Sequence, residues 1–308
     1  MRRSQPLLGT FVTISAYGTD RVQLNRAVAE AFAEFRRIDT LMSIHRPDSE
    51  ISAVNARAAQ GPVVVSVDLF RVLAVAQEIA AQTDGSFDMT IRPLSDLWGF
   101  IWKEYRLPSE TELQNLLPRV DYRLVKLDPT DRSVRFLAEG VSIDLGGIAK
   151  GFAVDCAIEN LQAFGVVCAM VKAGGDLRVI GTPPGRVHWE VQLEDPGKQG
   201  QRISIPLRDA ALSTSGNYEN SFVIGGRRYS HILHPRSGLP VQGIAACTVI
   251  RPTCIESDAW ATACFVYGAQ RSLDRFGDRF PMRFTLVSDS NEKAWTVLQT
   301  DTFPRPSR

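Results

Sequence analysis

The sequence predicts an α+β fold, mixed sheets carrying packed helices, on three observations. Strand-like stretches come in clusters between helices, without the regular alternation of a doubly wound parallel sheet. Helical segments show apolar residues recurring at three and four, so they have a face to pack. The 308 residues, 44% hydrophobic and 22% charged, suffice for a large core in one domain over 1–308 or in two closely joined lobes.

The elements follow in order. "GTFVTISAY" alternates apolar and polar residues, as a half-buried strand does. A helix is expected over 22–42, where Leu24, Val28, Phe32, Phe35, Ile38 and Leu41 share one face. "SIHRPDSEISAVN" breaks it with a Pro-Asp-Ser turn, and a second helix runs from about 68 to 82, stopping at Thr-Asp-Gly. "GSFDMTIRPLSDLWGF" is punctuated by Gly85 and Pro93 and ends in an aromatic cluster; 103–140 is polar, mixed and uninformative. "GVSIDLGGIAKGFAVDCAIENLQAFGV" reads as a short strand, a double glycine and a helix closed by Gly165. "VVCAMVKAGGDLRVIG" reads as two strands around a glycine turn, and "HWEVQLEDP" as another strand. A last helix is expected from Ser257 to Tyr267, with Ser257 as N-cap and Gly268 closing it.

Composition excludes several classes. Net charge is +1, from 35 Lys+Arg against 34 Asp+Glu, so no polyanion partner such as nucleic acid is indicated. Five cysteines without a CxxC pair argue against a disulfide framework or thiolate zinc site and fit buried reduced thiols. No apolar run reaches membrane-spanning length, and Arg2 and Arg3 are not followed by the apolar region of an export signal. The expectation is a cytoplasmic protein, or a membrane-associated or periplasmic one if a leader has been trimmed from this chain.

Four stretches could carry chemistry. In "DLGGIAKG" a strand turns through two glycines into a helix whose free N–H groups suit phosphate, with Lys150 adding charge and Asp144 able to hold a hydroxyl or amide. A turn that only needs flexible backbone gives the same pattern; neither the P-loop nor the GxGxxG spacing is present. In "ESDAWATACFVYG", Asp258 and Thr262 are four apart and share a helical face, an oxygen pair suited to Mg²⁺ with phosphate supplying further ligands. Helix-dipole complementation by Asp258 and a back-bonded Thr262 would look alike. "YSHILHPRSG" places His231 and His234 three apart on a strand-like stretch, which directs them to opposite faces and argues against joint chelation. One would then face a site as base or phosphate donor, while the other faces away or caps the "PRSG" turn. "GSFDMTIRPLSDLWGF" offers Trp98 as a wall for an aromatic ligand with Asp88 as a polar contact, or simply as core.

Taken in order, "PLLGTFVTI", "GSFDMTIRPLSDLWGF", "DLGGIAKGFAVD", "LSTSGNYE", "SHILHPRSGLP" and "SDAWATACFVYG" resemble the ApbE family, the FAD:protein FMN transferases, from Pro6 to Gly268. The resemblance implies a T-fold-like α+β architecture with a flavin cleft. It implies FAD as substrate, Mg²⁺ as cofactor, and an acceptor flavoprotein whose Thr or Ser receives FMN with release of AMP. It implies Asp258 and Thr262 as side-chain metal ligands, with Gly147 and Ala261 contributing backbone oxygens. Flavin contacts are implied at Leu8, His45, Ser86, Phe87, Asp88, Asp144, Lys150 and Ile232, and His231 becomes the general base. Three positions depart from the family pattern: Leu8 stands where Met is common, His45 where an aromatic ring, commonly Tyr, lies against flavin, and His234 where Asp is common. Two other readings share the site: a Mg²⁺-dependent FAD pyrophosphatase yielding FMN and AMP, and a flavin-binding protein without catalysis.

Overall fold

Residues 1–194, 202–288 and 291–306 are described in the structure, a computed structural model. Strands β1 (Arg2–Leu7) and β2 (Thr10–Tyr17) form a hairpin turned by Leu8 and Gly9, both at positive φ (50° and 68°). Glycine adopts that geometry freely, but Leu8 is held in it against its side chain's preference. Helix α1 (Arg21–Met42) starts where the Asp20 carboxylate accepts the N–H groups of Val22 and Gln23. It buries Leu24, Val28, Phe32, Phe35 and Ile38 as their spacing requires, while Leu41 is half-buried and Met42 takes the last core position.

Helix α2 (Glu50–Arg57), strand β3 (Val63–Val64) and helix α3 (Val67–Gln82) follow, the last capped by Ser66. A 3-10 turn over Met89–Ile91 leads into α4 (Arg92–Leu97). The stretch that sequence left blank holds α5 (Glu110–Leu116), β4 (Val125–Asp128) and β5 (Ser133–Phe136); α5 opens on a reciprocal Ser109–Glu112 capping box. Helix α6 (Ala149–Ala163) ends as expected at Gly165, whose N–H donates to the Gln162 carbonyl while Val166 N–H donates to that of Leu161.

Strands β6 (Cys168–Ala173) and β7 (Asp176–Ile180) make the expected glycine-turned pair, and β8 (Trp189–Glu194) pairs with β9 (Arg202–Leu207). Asp195 and Pro196, at the end of the expected third strand, lie outside the described residues. Strands β10 (Ala210–Gly216), β11 (Ser221–Ile224), β12 (Arg227–Ser230) and β13 (Ile244–Arg251) precede α7 (Cys254–Tyr267), α8 (Ala269–Phe276), β14 (Met282–Ser288) and β15 (Asn291–Gln299).

The main sheet has eight strands in the order β1-β2-β6-β7-β10-β13-β14-β15, with small sheets β3-β5-β4, β8-β9 and β11-β12. Every pairing among the described strands is antiparallel, which narrows the expected mixed sheets. Neighbouring strands join by hairpins or by longer excursions that contain the helices, and no parallel βαβ crossover forms among the described residues. Alternation along the central strands separates two cores. Leu177, Val179, Leu212 and Ile250 face the β8–β9 hairpin, whereas Ile180, Ala211, Cys247 and Val249 face the helices. No helix among the described residues is long and apolar enough to cross a membrane.

Helices α6 and α7 cross at Gly151, where a Cβ would stand 2.2 Å from the Cys254 carbonyl oxygen. Only glycine permits that approach. Each helix then caps the other: Asp258 of α7 accepts the Gly151 N–H at 3.0 Å, and Asp155 of α6 accepts the N–H groups of Cys254 and Ile255 at 2.9 and 2.8 Å. This corrects the expected start of the last helix. Its N-cap residue is Thr253, its free donors go to Asp155, and Ser257 lies buried inside the helix, its hydroxyl 2.7 Å from that of Ser213.

Candidate active site

A cavity of about 650 Å³ opens where α1, the 86–101 segment, the double-glycine turn, β10, the stretch after β12 and α7 meet. Its size lies within the ordinary range for small-molecule sites. Leu8, His45, Ser86, Phe87, Asp88, Asp144, Gly147, Lys150, His231, Ile232, Asp258 and Thr262 all line it. Ala261, expected beside them, is fully buried in α7 and does not reach the cavity wall.

The charged end is built by the α6–α7 crossing. The Lys150 ammonium lies 2.8 Å from Asp176 and 3.5 Å from Asp258, and donates to the Gly146 carbonyl at 3.3 Å. Burial pushes the Asp258 carboxyl above its ordinary range, and the neighbouring Asp176 charge pushes it further. Burial alone would lower the Lys150 pKa, but the two carboxylates outweigh it and hold the ammonium protonated. Two carboxyl groups share one ammonium here, so this end is short of positive charge. Asp176, not anticipated from sequence, is buried at the start of β7 directly after Gly174 and Gly175. Its signal was available: a carboxylate following two glycines inside an otherwise apolar strand pair.

Thr262 sits one turn along α7 from Asp258, its hydroxyl 3.0 Å from that of Ser215. A Cβ on Gly147 would come within 3.2 Å of the Thr262 hydroxyl, so the glycine backbone and the hydroxyl border the same space. The Asp258 carboxylate, the Thr262 hydroxyl and the bordering Gly147 backbone are hard oxygen donors of the kind that fits Mg²⁺. Among the described residues no group of three or more His, Cys, Asp or Glu side chains could hold a metal, so hydroxyls and backbone would complete the ligand set.

The apolar end is lined by Leu8, Phe87, Ile91, Phe100, Ile101 and Ile232. At its mouth His45 meets the exposed Trp102 edge to face, ring centroids 5.5 Å apart. Trp98, a possible wall from sequence, is core instead, its Nε1 donating to the Gly238 carbonyl at 2.8 Å. Asp88 borders the cavity, but both its oxygens are engaged: one accepts from the Thr90 N–H and hydroxyl, the other from the Tyr122 N–H. Burial raises its carboxyl to about 6. Asp144 accepts the Gly146 N–H at 2.8 Å, and burial raises its carboxyl too.

The two histidines separate, but not by the expected strand alternation, since both lie beyond the end of β12. His231 follows the last residue of β12 and faces the cavity, whereas His234 closes the turn behind it. There the His234 carbonyl accepts the Gly238 N–H at 2.8 Å and its Nδ1 accepts the Arg236 N–H at 3.2 Å. Burial, assisted by the Lys150 charge, lowers the His231 pKa below its ordinary value, so the ring is neutral near pH 7.

Comparison with known proteins agrees with this geometry. The ApbE family model matches residues 8–281. The chain is similar to the FAD:protein FMN transferase of Treponema pallidum, at 31% identity with 88% of this chain and 79% of that protein covered. It is similar to the Vibrio cholerae protein of the same name at 32% identity, covering 77% and 72%. Among solved structures, the ApbE protein of Thermotoga maritima superposes with a TM-score of 0.87 at 31% identity, covering 99% of each chain. The flavin transferase ApbE of Vibrio cholerae gives 0.87 at 26% identity, covering 98% and 97%. With the helical crossing, the double-glycine turn and the histidine stretch meeting at one cavity, the chain belongs to the ApbE family.

Proposed function

We propose that this protein is an FAD:protein FMN transferase, moving FMN from FAD to a Thr or Ser hydroxyl of an acceptor flavoprotein and releasing AMP. The observation that carries the reading is the shared cavity: a neutral histidine, a lysine and a carboxylate–hydroxyl pair from three sequence blocks face one space. The apolar end accommodates the flavin ring, with His45 and Trp102 at the rim. The charged end takes the pyrophosphate. Lys150 supplies fixed positive charge, and Asp258 and Thr262, with backbone at Gly147, would hold Mg²⁺; Ala261, buried behind the cavity wall, is left out of that set. When bound, the metal neutralises charge developing on the phosphate oxygens. His231 takes the proton from the acceptor hydroxyl as its oxygen bonds to the FMN phosphorus. The P–O bond to the AMP phosphate breaks, and AMP departs with the bonding pair.

The test supplies FAD, Mg²⁺ and an unmodified flavoprotein domain that normally carries phosphoester-linked FMN on a threonine. Flavin fluorescence that stays with the denatured domain, with one AMP released per flavin attached, is the expected result. Free FMN and AMP with no labelled domain would replace transfer by hydrolysis at the same site.

A further inference from the structure

His231 needs an orienting partner, and His234 does not provide one, because its ring is spent on the turn. The partner is a main-chain oxygen. The Asn220 carbonyl accepts the His231 backbone N–H at 3.0 Å and lies 3.1 Å from its ring Nδ1. A carbonyl oxygen can only accept, so Nδ1 carries the proton and Nε2 keeps its lone pair. Nε2 has no protein partner among the described residues. Free neutral imidazole favours the opposite form, with the proton on Nε2, so this tautomer has to be imposed.

Asn220 is itself held from two sides. Its Oδ1 accepts the Tyr105 hydroxyl at 2.9 Å, and its Nδ2 donates to the Phe100 carbonyl at 3.4 Å. Tyr105 is fixed in turn by stacking on Phe222, with centroids 4.9 Å apart and planes at 19°, and Phe222 stacks on Tyr229 at 5.3 Å and 18°. The β11–β12 ladder pairs Ser221 with Ser230, so its next step brings Asn220 opposite His231. The aromatic stack, the side-chain anchors and the ladder therefore converge on one carbonyl.

Building on the transferase reading, the geometry points to Asn220 as the positioning residue for His231, held in turn by Tyr105: its main-chain carbonyl selects the Nδ1–H tautomer and leaves Nε2 as the proton acceptor toward the cavity. The acceptor hydroxyl's proton goes to Nε2 while its oxygen replaces AMP on the FMN phosphorus. The resulting imidazolium keeps its Nδ1–H on the Asn220 oxygen and passes the new proton to the departing AMP phosphate or to water. A neutral oxygen thereby does the orienting that a carboxylate does in a Ser-His-Asp site, without that carboxylate's stabilisation of the imidazolium.

The test is ¹⁵N NMR on the full chain labelled at histidine, at pH 8, with His231 signals assigned by their loss in His231→Gln. Wild type is expected to show a protonated Nδ1 and an unprotonated Nε2. Asn220→Ala removes both side-chain anchors, and Tyr105→Phe removes one while keeping the ring stack. Both should move the pattern toward a tautomer mixture. FMN transfer to the unmodified flavoprotein domain should fall about tenfold in Asn220→Ala and less in Tyr105→Phe, with KM for FAD unchanged, a partial loss of the base's contribution. A wild-type His231 protonated on Nε2 would overturn the assignment. So would a wild-type tautomer pattern and rate in both variants; if Asn220→Ala does not fold, Tyr105→Phe decides alone. A tautomer pattern that behaves as expected in a wild-type protein that transfers no FMN would sink the transferase reading and leave the positioning intact.

Discussion

The two ends of the cavity that hold polar chemistry are built differently. At one end Lys150, Asp176 and Asp258 meet at the crossing of two helices, where each helix caps the other with a buried aspartate. At the other end His231 rests on a two-stranded hairpin, held by a carbonyl, an amide, a phenol and stacked rings, without a charged partner in hydrogen-bond contact. The difference suits the role proposed for each end. Buried charges need a rigid frame that supplies dipoles and counter-ions, because desolvation costs several kcal/mol per ion. A base that must give and take a proton near neutral pH does better with neutral partners, which orient it without shifting its pKa far.

Breaking the charged end should have the largest effect. Asp258→Asn keeps an oxygen to accept the Gly151 N–H but removes the charge, so the helix crossing survives and the cation site does not. We expect transfer to fall about a thousandfold with little change in Tm, the loss of several kcal/mol of charge stabilisation in the transition state. Initial rates across a Mg²⁺ series check it; a rate within tenfold of wild type would remove Asp258 from the metal site. Breaking the histidine end comes next. His231→Gln should lower transfer about a hundredfold or more, the usual contribution of a general base. The pH profile sharpens this. Burial lowers the His231 pKa, so the proton-free form persists below the ordinary histidine value of about 6.5, and transfer should stay level from pH 8 down to that point before declining. A decline beginning at pH 7.5 would contradict a buried, neutral base.

Asp155 tests the frame without touching the cavity. Its carboxylate caps α7 and pairs with Arg178 at 2.7 Å. Asp155→Ala leaves two helix donors and a largely buried guanidinium without their partner, and should cost about 3 kcal/mol in urea unfolding. A loss below 1 kcal/mol would mean the reciprocal caps are not what holds the crossing. The smallest effect is expected at His234. An aspartate there can accept the Arg236 N–H as the imidazole does, so His234→Asp should change the transfer rate less than about twofold, within the range of a surface substitution.

The same contrast governs how much of the molecule was legible in sequence. The charged end depends on short-range regularities: Asp258 and Thr262 one turn apart, and a double glycine leading into a helix. These identify themselves within a dozen residues. Asp155 and Asp176 carry no local sign of their partners, which lie 99 and 26 residues away in Cys254 and Lys150. The histidine end was legible only at His231. Tyr105 and Asn220 are joined across 115 residues, and Tyr105 lies in the stretch that looked uninformative. That stretch did contain one readable signal, the Ser109–Glu112 capping box that starts α5. The antiparallel sheet was hidden for a related reason. Its central strand β13 is buried on both faces, so its sequence shows an apolar run without the alternation of a half-exposed antiparallel strand.

The central claim is that the two ends do separate jobs, one holding cation and phosphates, the other moving a proton. Calorimetric titration of FAD into Asp258→Asn and His231→Gln, each with and without Mg²⁺, tests it most directly. His231→Gln should keep the increment in FAD affinity that Mg²⁺ adds in wild type, while Asp258→Asn should bind FAD equally with and without the metal. Loss of the Mg²⁺ increment in His231→Gln, or its survival in Asp258→Asn, would contradict the division.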